Sequence, residues 1–245
     1  MDTIGRTDTE VVRVEAVTKD YGTVKALRGV DLDLPGGGFT AVMGPSGSGK
    51  STLLHCAAGL DRPSSGSVWL GATDLATLSE TALTELRRTR IGFIFQAYNL
   101  IGSLTVEQNI TLPLRLAGAR ADPDWLAEIV TQVGLDQRLT HRPARLSGGQ
   151  QQQVAIARAL ITRPAVVFAD EPTGALDTRT GQQVLELLRR MVDTFGQRVL
   201  MVTHDPVAAS WADRVVFLAD GKLAGELRRP DPEQVAARLT TLGEW

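Results

Sequence analysis

The hydrophobic and polar positions along the chain predict an α/β protein. Loose alternation over residues 11–17, and apolar residues at Leu27, Val30, Leu32 and Leu34, predict two antiparallel strands around a turn at Asp20-Tyr21-Gly22. Pro35-Gly36-Gly37-Gly38 breaks the chain before the apolar run Phe39-Thr40-Ala41-Val42-Met43. That run enters a Gly/Ser-rich loop, and a helical pattern follows from Lys50 to about Leu60. Strand, glycine loop and helix in this order form the entry of an α/β nucleotide fold. From about Ser103 to Arg163 the period changes to that of helices, over 106–116, 123–133 and 148–161. This stretch reads as a helical subdomain inserted into the core. Strands at 165–169, 198–203 and 214–218 and a helix at 179–194 resume the α/β pattern, with a hairpin signal at Asp220-Gly221. Residues 1–10 read as a frayed polar start, and 230–245 as a short surface helix.

Composition narrows the function classes. With 26 Lys plus Arg against 28 Asp plus Glu, the net charge of −2 argues against a nucleic-acid backbone as the main partner. A hydrophobic share of 43% is that of a folded chain. No apolar run approaches the ~18 residues that a membrane span needs. The first ten residues lack the cationic stretch and apolar core of a secretory signal. One cysteine, Cys56, excludes an internal disulfide framework. These features lead to the expectation of a soluble protein in a reducing compartment.

Three motifs carry the chemistry. Gly44-Pro45-Ser46-Gly47-Ser48-Gly49-Lys50-Ser51 fits the phosphate-loop pattern, in which backbone N–H groups curl around phosphate oxygens at a helix start. Lys50 would reach the β- and γ-phosphates, and the Ser51 hydroxyl would ligate Mg²⁺. Asp170-Glu171 ends the strand at 165–169, where open α/β sheets place their ligands. Asp170 suits Mg²⁺, and Glu171 suits the polarisation of an attacking water. Leu146-Ser147-Gly148-Gly149-Gln150 is a second glycine-bearing helix start, able to meet a second anion through N–H groups and the Ser147 hydroxyl.

On these motifs the chain resembles the ATP-binding subunit of an ABC transporter, over about residues 11–230 with the helical insert at 103–163 and a tail at 231–245. The resemblance implies a phosphate-loop ATPase core with an antiparallel β subdomain and an inserted α-helical subdomain. It implies ATP and Mg²⁺ as cofactors. Tyr21 would stack on adenine, Thr52 would extend the phosphate-loop contacts, and Gln96 would sense Mg²⁺ and the membrane partner. His204 would contact the γ-phosphate, and Ala175-Leu176-Asp177 would touch an opposite subunit. Two ATP molecules would lie between the phosphate loop of one subunit and the Leu146–Gln150 turn, the family's signature motif, of the other in a head-to-tail homodimer. A separate integral membrane permease would anchor the subunit at the cytoplasmic face of the membrane. Gly92-Phe93-Ile94-Phe95-Gln96-Ala97-Tyr98-Asn99-Leu100, Leu112-Pro113-Leu114 and Pro172-Thr173-Gly174-Ala175-Leu176-Asp177 are similar to the branch serving macrolide export and lipoprotein release. Gln153 departs from that branch, which usually has Arg there, and Gly38 stands where Glu is common.

Other residues invite plainer readings. His55 and His141 lack paired ligands at metal spacing, and Cys56 reads as a small buried apolar residue. Arg87-Arg88-Thr89-Arg90 reads as a solvated helix end, without interleaved aromatics for base stacking. A partner helix is expected between residues 96–100 and the inserted helices, with Tyr98 and Leu100 as apolar anchors. The rival reading is an ABC-type switch that controls a cell-wall hydrolase through a non-transporting membrane protein.

Overall fold

Alternating burial along β1 (Val12–Tyr21) and β2 (Val24–Leu34) places Val12, Val14, Leu32 and Leu34 on one face of an antiparallel pair. A computed structural model describes residues 12–34 and 36–242; the expected frayed start lies outside them. After β3 (Gly38–Met43) and α1 (Lys50–Ala57), β4 (Ser65–Leu70) pairs antiparallel with β1, and β5 (Thr73–Asp74) extends that sheet. The Ser79-capped α2 (Glu80–Arg90) leads into β6 (Ile91–Ile94).

Four helices then intervene before the next strand. They are α3 (Val106–Ile110), α4 (Leu112–Leu116), α5 (Pro123–Val133) and α6 (Gly148–Leu160). The single helix expected over 106–116 is broken at Thr111, which ends α3 and precedes the Pro113-containing first turn of α4. The chain returns through β7 (Val166–Asp170), α7 (Thr178–Phe195), β8 (Arg198–Val202), α8 (Pro206–Ala209), β9 (Arg214–Ala219), β10 (Lys222–Arg228) and α9 (Pro232–Leu242). Asp220 and Gly221 turn the β9–β10 hairpin with positive φ at both residues, the backbone this dipeptide favours. The expected surface helix is α9, although it also buries Val235 and Leu242.

The second sheet has the order β10-β9-β3-β8-β7-β6, parallel except for the β9–β10 hairpin. Its central strands are buried on both faces, so their sequences are nearly continuous in apolar residues. Val167 and Ala169 of β7 face the core shared with α6 and α7, while Val166 and Phe168 face the core shared with α1 and the antiparallel sheet. Full burial of a side chain such as Phe168 contributes about 1.5–3 kcal/mol. Helix α1 is thus clamped between two sheets, and the parallel strands deliver their carboxyl ends beside its first turn.

Candidate active site

The loop between β3 and α1 has almost no room for side chains. A Cβ on Gly44 would fall 1.9 Å from the Leu218 carbonyl oxygen, and one on Gly49 would fall 2.3 Å from that of Ala26. Gly49 also has a φ of 99°, so both sterics and backbone demand glycine. No side chain caps α1, whereas side-chain oxygens of Ser79, Thr105, Asp122, Ser147, Asp177 and Asp205 cap other helices. The first-turn N–H groups of α1 are therefore open to an external anion, whereas the also uncapped α4 runs on directly from α3. Lys50 Nζ donates to the Gly44 and Pro45 carbonyls at 2.9 and 2.8 Å. Burial lowers its pKa from the ordinary lysine value, and the charges of Glu171 and Asp170 oppose that shift.

The end of β7 faces the same loop. Ser51 Oγ donates to Asp170 Oδ1 at 3.2 Å. His55, expected to be structural, stands one helical turn beyond Ser51 with Nε2 3.6 Å from Asp170 Oδ2. The i, i+4 spacing of Ser51 and His55 was the available sequence signal for this placement. Glu171 adopts a left-handed φ of 46° and its N–H donates to Val202 O at 3.0 Å. Its Oε1 lies 2.9 Å from Nδ1 of the exposed His204. Gln96 and Glu171 flank Gly174, where a Cβ would come within 2.9 Å of Gln96 Nε2 and 3.5 Å of Glu171 Cβ. The structure brings Lys50, Ser51, Asp170, Glu171 and His204 together, with Gln96 beside them across Gly174.

Tyr21 forms a separate wall. Its half-exposed ring carries Lys19 Nζ 4.9 Å from the centroid, and its hydroxyl donates to Asp61. That bond, with burial, pushes the Tyr21 pKa up to about 12, while a hydrogen bond with Thr52 on α1 pulls the other way. Burial opposes ionisation of Asp61, but hydrogen bonds from Lys19 and Tyr21 outweigh it and hold the carboxyl below its usual range. Asp61 was not anticipated, because its partners lie 40 and 42 residues away in sequence.

The signature turn lies at the start of α6. Ser147 Oγ accepts from Gln150 N–H at 3.3 Å, and Gln150 Oε1 accepts from Ser147 N–H at 3.0 Å. This capping box occupies both side chains, although the Ser147 hydroxyl proton remains available to an anion. The turn neighbours Tyr98, Leu176 and Thr180, through Gly148 and Gly149. Tyr98 and Leu100, the expected anchors for a partner helix, are half-buried. Arg158 donates to the carbonyls of Tyr98 and Asn99, at 2.8 and 2.6 Å, and both residues have positive φ. That tight turn directs the Tyr98 hydroxyl toward Gly148, and Leu100 packs against the core. The apolar groove lies beside them, about 410 Å³ in volume and lined by Leu60, Phe93, Phe95, Leu112, Pro113 and Leu116.

Mg²⁺ fits the oxygen donors present. Ser51 and Asp170 are hard ligands side by side, and no cluster of three or more His, Cys, Asp or Glu competes for a metal among the described residues. An ion there would complete its shell with phosphate oxygens and water, as Mg²⁺ prefers.

Comparison with known proteins agrees with this geometry. The family profile described as ABC transporter matches residues 27–174, more than half of the chain. The chain belongs to the ABC transporter family. It is 41% identical to the macrolide export ATP-binding/permease protein MacB of Marinobacter nauticus, covering 96% of this chain and 38% of that protein. Among relatives of similar length, it is 46% identical to the lipoprotein-releasing system ATP-binding protein LolD of Anaeromyxobacter dehalogenans, over 89% of this chain and 94% of that one. The chain thus spans little more than a third of the MacB relative and nearly all of LolD. A dimeric, post-hydrolysis structure of the ATP-binding cassette MJ0796 bound to ADP and Pi superposes with a TM-score of 0.80. The identity is 39%, covering 89% of this chain and 99% of that one. These matches agree with the expected α/β cassette fold with its antiparallel sheet and inserted helices.

Proposed function

We propose that the chain is an ATP-hydrolysing subunit that pairs head to tail with a second copy around two ATP molecules and drives a separate membrane permease of the export or lipoprotein-release type. The observation that carries this reading is the convergence of the Ser51–Asp170 and Glu171–His204 pairs beside a glycine loop with an uncapped helix start. In this reading the loop N–H groups and Lys50 bind and orient the β- and γ-phosphates. Mg²⁺ held by Ser51 and Asp170, with Gln96 within reach, would neutralise charge on the phosphate oxygens. Glu171 accepts the proton of the attacking water, so that ATP and water give ADP and phosphate. Its bond to His204 Nδ1 holds the imidazole in place beside the site of the γ-phosphate. Tyr21 offers a face for the base. The signature turn, in which the Ser147 and Gln150 side chains each accept from the other residue's backbone N–H, supplies the second copy's nucleotide with the Ser147 hydroxyl and the N–H groups of Gly148 and Gly149.

The permease would dock in the apolar groove between β6 and α4. Leu60 and Leu116 are exposed at its edge and Arg87 and Arg88 border it, which suits an amphipathic helix with an acidic face. Among the described residues no helix is long and apolar enough to cross a membrane, so membrane attachment in this reading runs through that partner, at the cytoplasmic face. The export and release branch is supported by the MacB and LolD relatives.

Turnover of the wild type and of Glu171→Gln tests the hydrolytic reading. The variant keeps shape but loses the base, so turnover falls by about 10²–10⁴-fold. Mg-ATP binding persists and a nucleotide-bound dimer accumulates in size-exclusion chromatography. Turnover of the variant near that of the wild type would falsify the assignment of Glu171.

A further inference from the structure

Helix α6 carries a buried polar contact that the hydrolytic scheme above does not use. Gln152 is fully buried, and its Nε2 donates to the Pro172 carbonyl oxygen at 2.8 Å. A carbonyl oxygen can only accept, so the side-chain nitrogen must face it and the amide cannot be turned round. Gln152 Oε1 is buried as well and has no partner. An unpaired buried carbonyl is destabilising, and a methionine of similar volume would fill the same space without it. The amide is therefore poorly explained as packing.

Its bonding partner gives a better explanation. Pro172 directly follows Glu171, whose φ of 46° is unfavourable for a residue with a side chain. Besides the side-chain contact of Glu171 with His204, three hydrogen bonds hold the backbone of residues 171 and 172. Glu171 N–H bonds to Val202 O on β8, Gly174 N–H bonds back to Glu171 O, and Gln152 bonds to Pro172 O. Only the last comes from the signature helix. Gln152 lies about one and a half turns beyond Ser147 on a rigid helix, so a displacement of the signature turn is carried to it.

We propose that Gln152 is a positioning residue for Glu171, coupling the placement of the signature helix to that of the water-activating carboxylate. The inference rests on the hydrolytic function proposed above. When the signature turn engages a nucleotide held by the other copy, α6 and the Pro172 carbonyl move as one unit. Hydrolysis is thereby favoured in the closed pair.

Gln152→Met tests this, because it keeps volume and burial and exchanges one unpaired buried carbonyl, Gln152 Oε1, for another, the Pro172 oxygen, so that the polar cost stays about level. Three quantities are measured on the full chain: melting temperature, affinity for the fluorescent analogue TNP-ATP with Mg²⁺, and steady-state ATP turnover. The expected result is a melting temperature close to that of the wild type, affinity within about twofold, and kcat about tenfold lower with KM unchanged. Wild-type kcat in a stable variant overturns the proposal, as does a loss of kcat that follows a fall in melting temperature. Wild-type and Glu171→Gln controls separate the two readings. An inactive wild type or an active Glu171→Gln removes the hydrolytic function itself. An active wild type, an inactive Glu171→Gln and a normal Gln152→Met remove only the role of Gln152.

Discussion

The two glycine-bearing helix starts solve the same electrostatic problem in opposite ways. At α1 the first turn has no side-chain cap, and Lys50 folds back onto the loop carbonyls. At α6 Ser147 and Gln150 close the turn on each other. Both ends have the positive pole of a helix dipole, but only α1 holds a full set of N–H donors and a cation in reserve. The α6 turn has already committed part of its capacity to its own stability. In the proposed dimer, α1 is accordingly the primary phosphate cradle, and α6 completes a site that another copy begins.

The largest test of this contrast removes the cation. Lys50→Ala deletes charge-assisted hydrogen bonds of about 1.5–3 kcal/mol, so Mg-ATP affinity falls roughly 10- to 100-fold. Calorimetric titration giving unchanged affinity would place the binding energy elsewhere. A second test tightens the α6 turn instead. A Cβ on Gly149 would lie 2.3 Å from Thr180 Cγ2, so Gly149→Ala overpacks the junction of α6 and α7 and destabilises by about 1–3 kcal/mol. Thr180→Ser removes that methyl and keeps the hydroxyl that bonds to Asp177. The double variant recovers most of the melting temperature, and a purely additive pair of effects would contradict the contact.

Serine occurs at both turns, which makes a third comparison. Ser147→Ala removes a cap and lowers stability by about 1 kcal/mol. Ser51→Ala removes no cap, because α1 has none, and shifts stability by less than about 0.5 kcal/mol. It does weaken the Mg²⁺ dependence of nucleotide binding. Chemical denaturation of both variants, with Mg²⁺ titrations, checks the crossover.

The sequence made the phosphate loop legible because its glycines answer to local backbone and steric demands. Residues 165–169 and the Asp220-Gly221 turn were readable for similar reasons: both faces of β7 are buried, and the dipeptide suits its turn. The stretch from Ser65 to Ile94 left no clear signal. Its β5 is two residues long, α2 buries only Leu83, and β6 is four residues long. Such elements are held by partners distant in sequence. Gln152 and Asp61 escaped for the same reason, since their bonds reach 20 and 40 residues away. The half-buried setting of Tyr98 and Leu100 was not legible either, because Arg158, about 60 residues on, fixes the turn that carries them.

The smallest effect is a pH dependence confined to one of the two turns. Ser147, Gly148, Gly149 and Gln150 contain no titratable side chain, whereas burial holds the pKa of Lys50 below 10.5. Without nucleotide, the depressed value means that the unfolded chain binds more protons at this position than the folded one. Stability contributed through Lys50 therefore rises as pH passes from the folded to the unfolded pKa. Nucleotide binding moves the other way, because the phosphates need the charged amine. Mg-ATP affinity consequently weakens over the alkaline range, at lower pH than an ordinary lysine would allow. In Lys50→Met affinity is lower throughout and this alkaline slope disappears. Titrations at several pH values above 8 check both statements. A slope that persists in Lys50→Met would mean that the pH dependence arises outside the phosphate cradle.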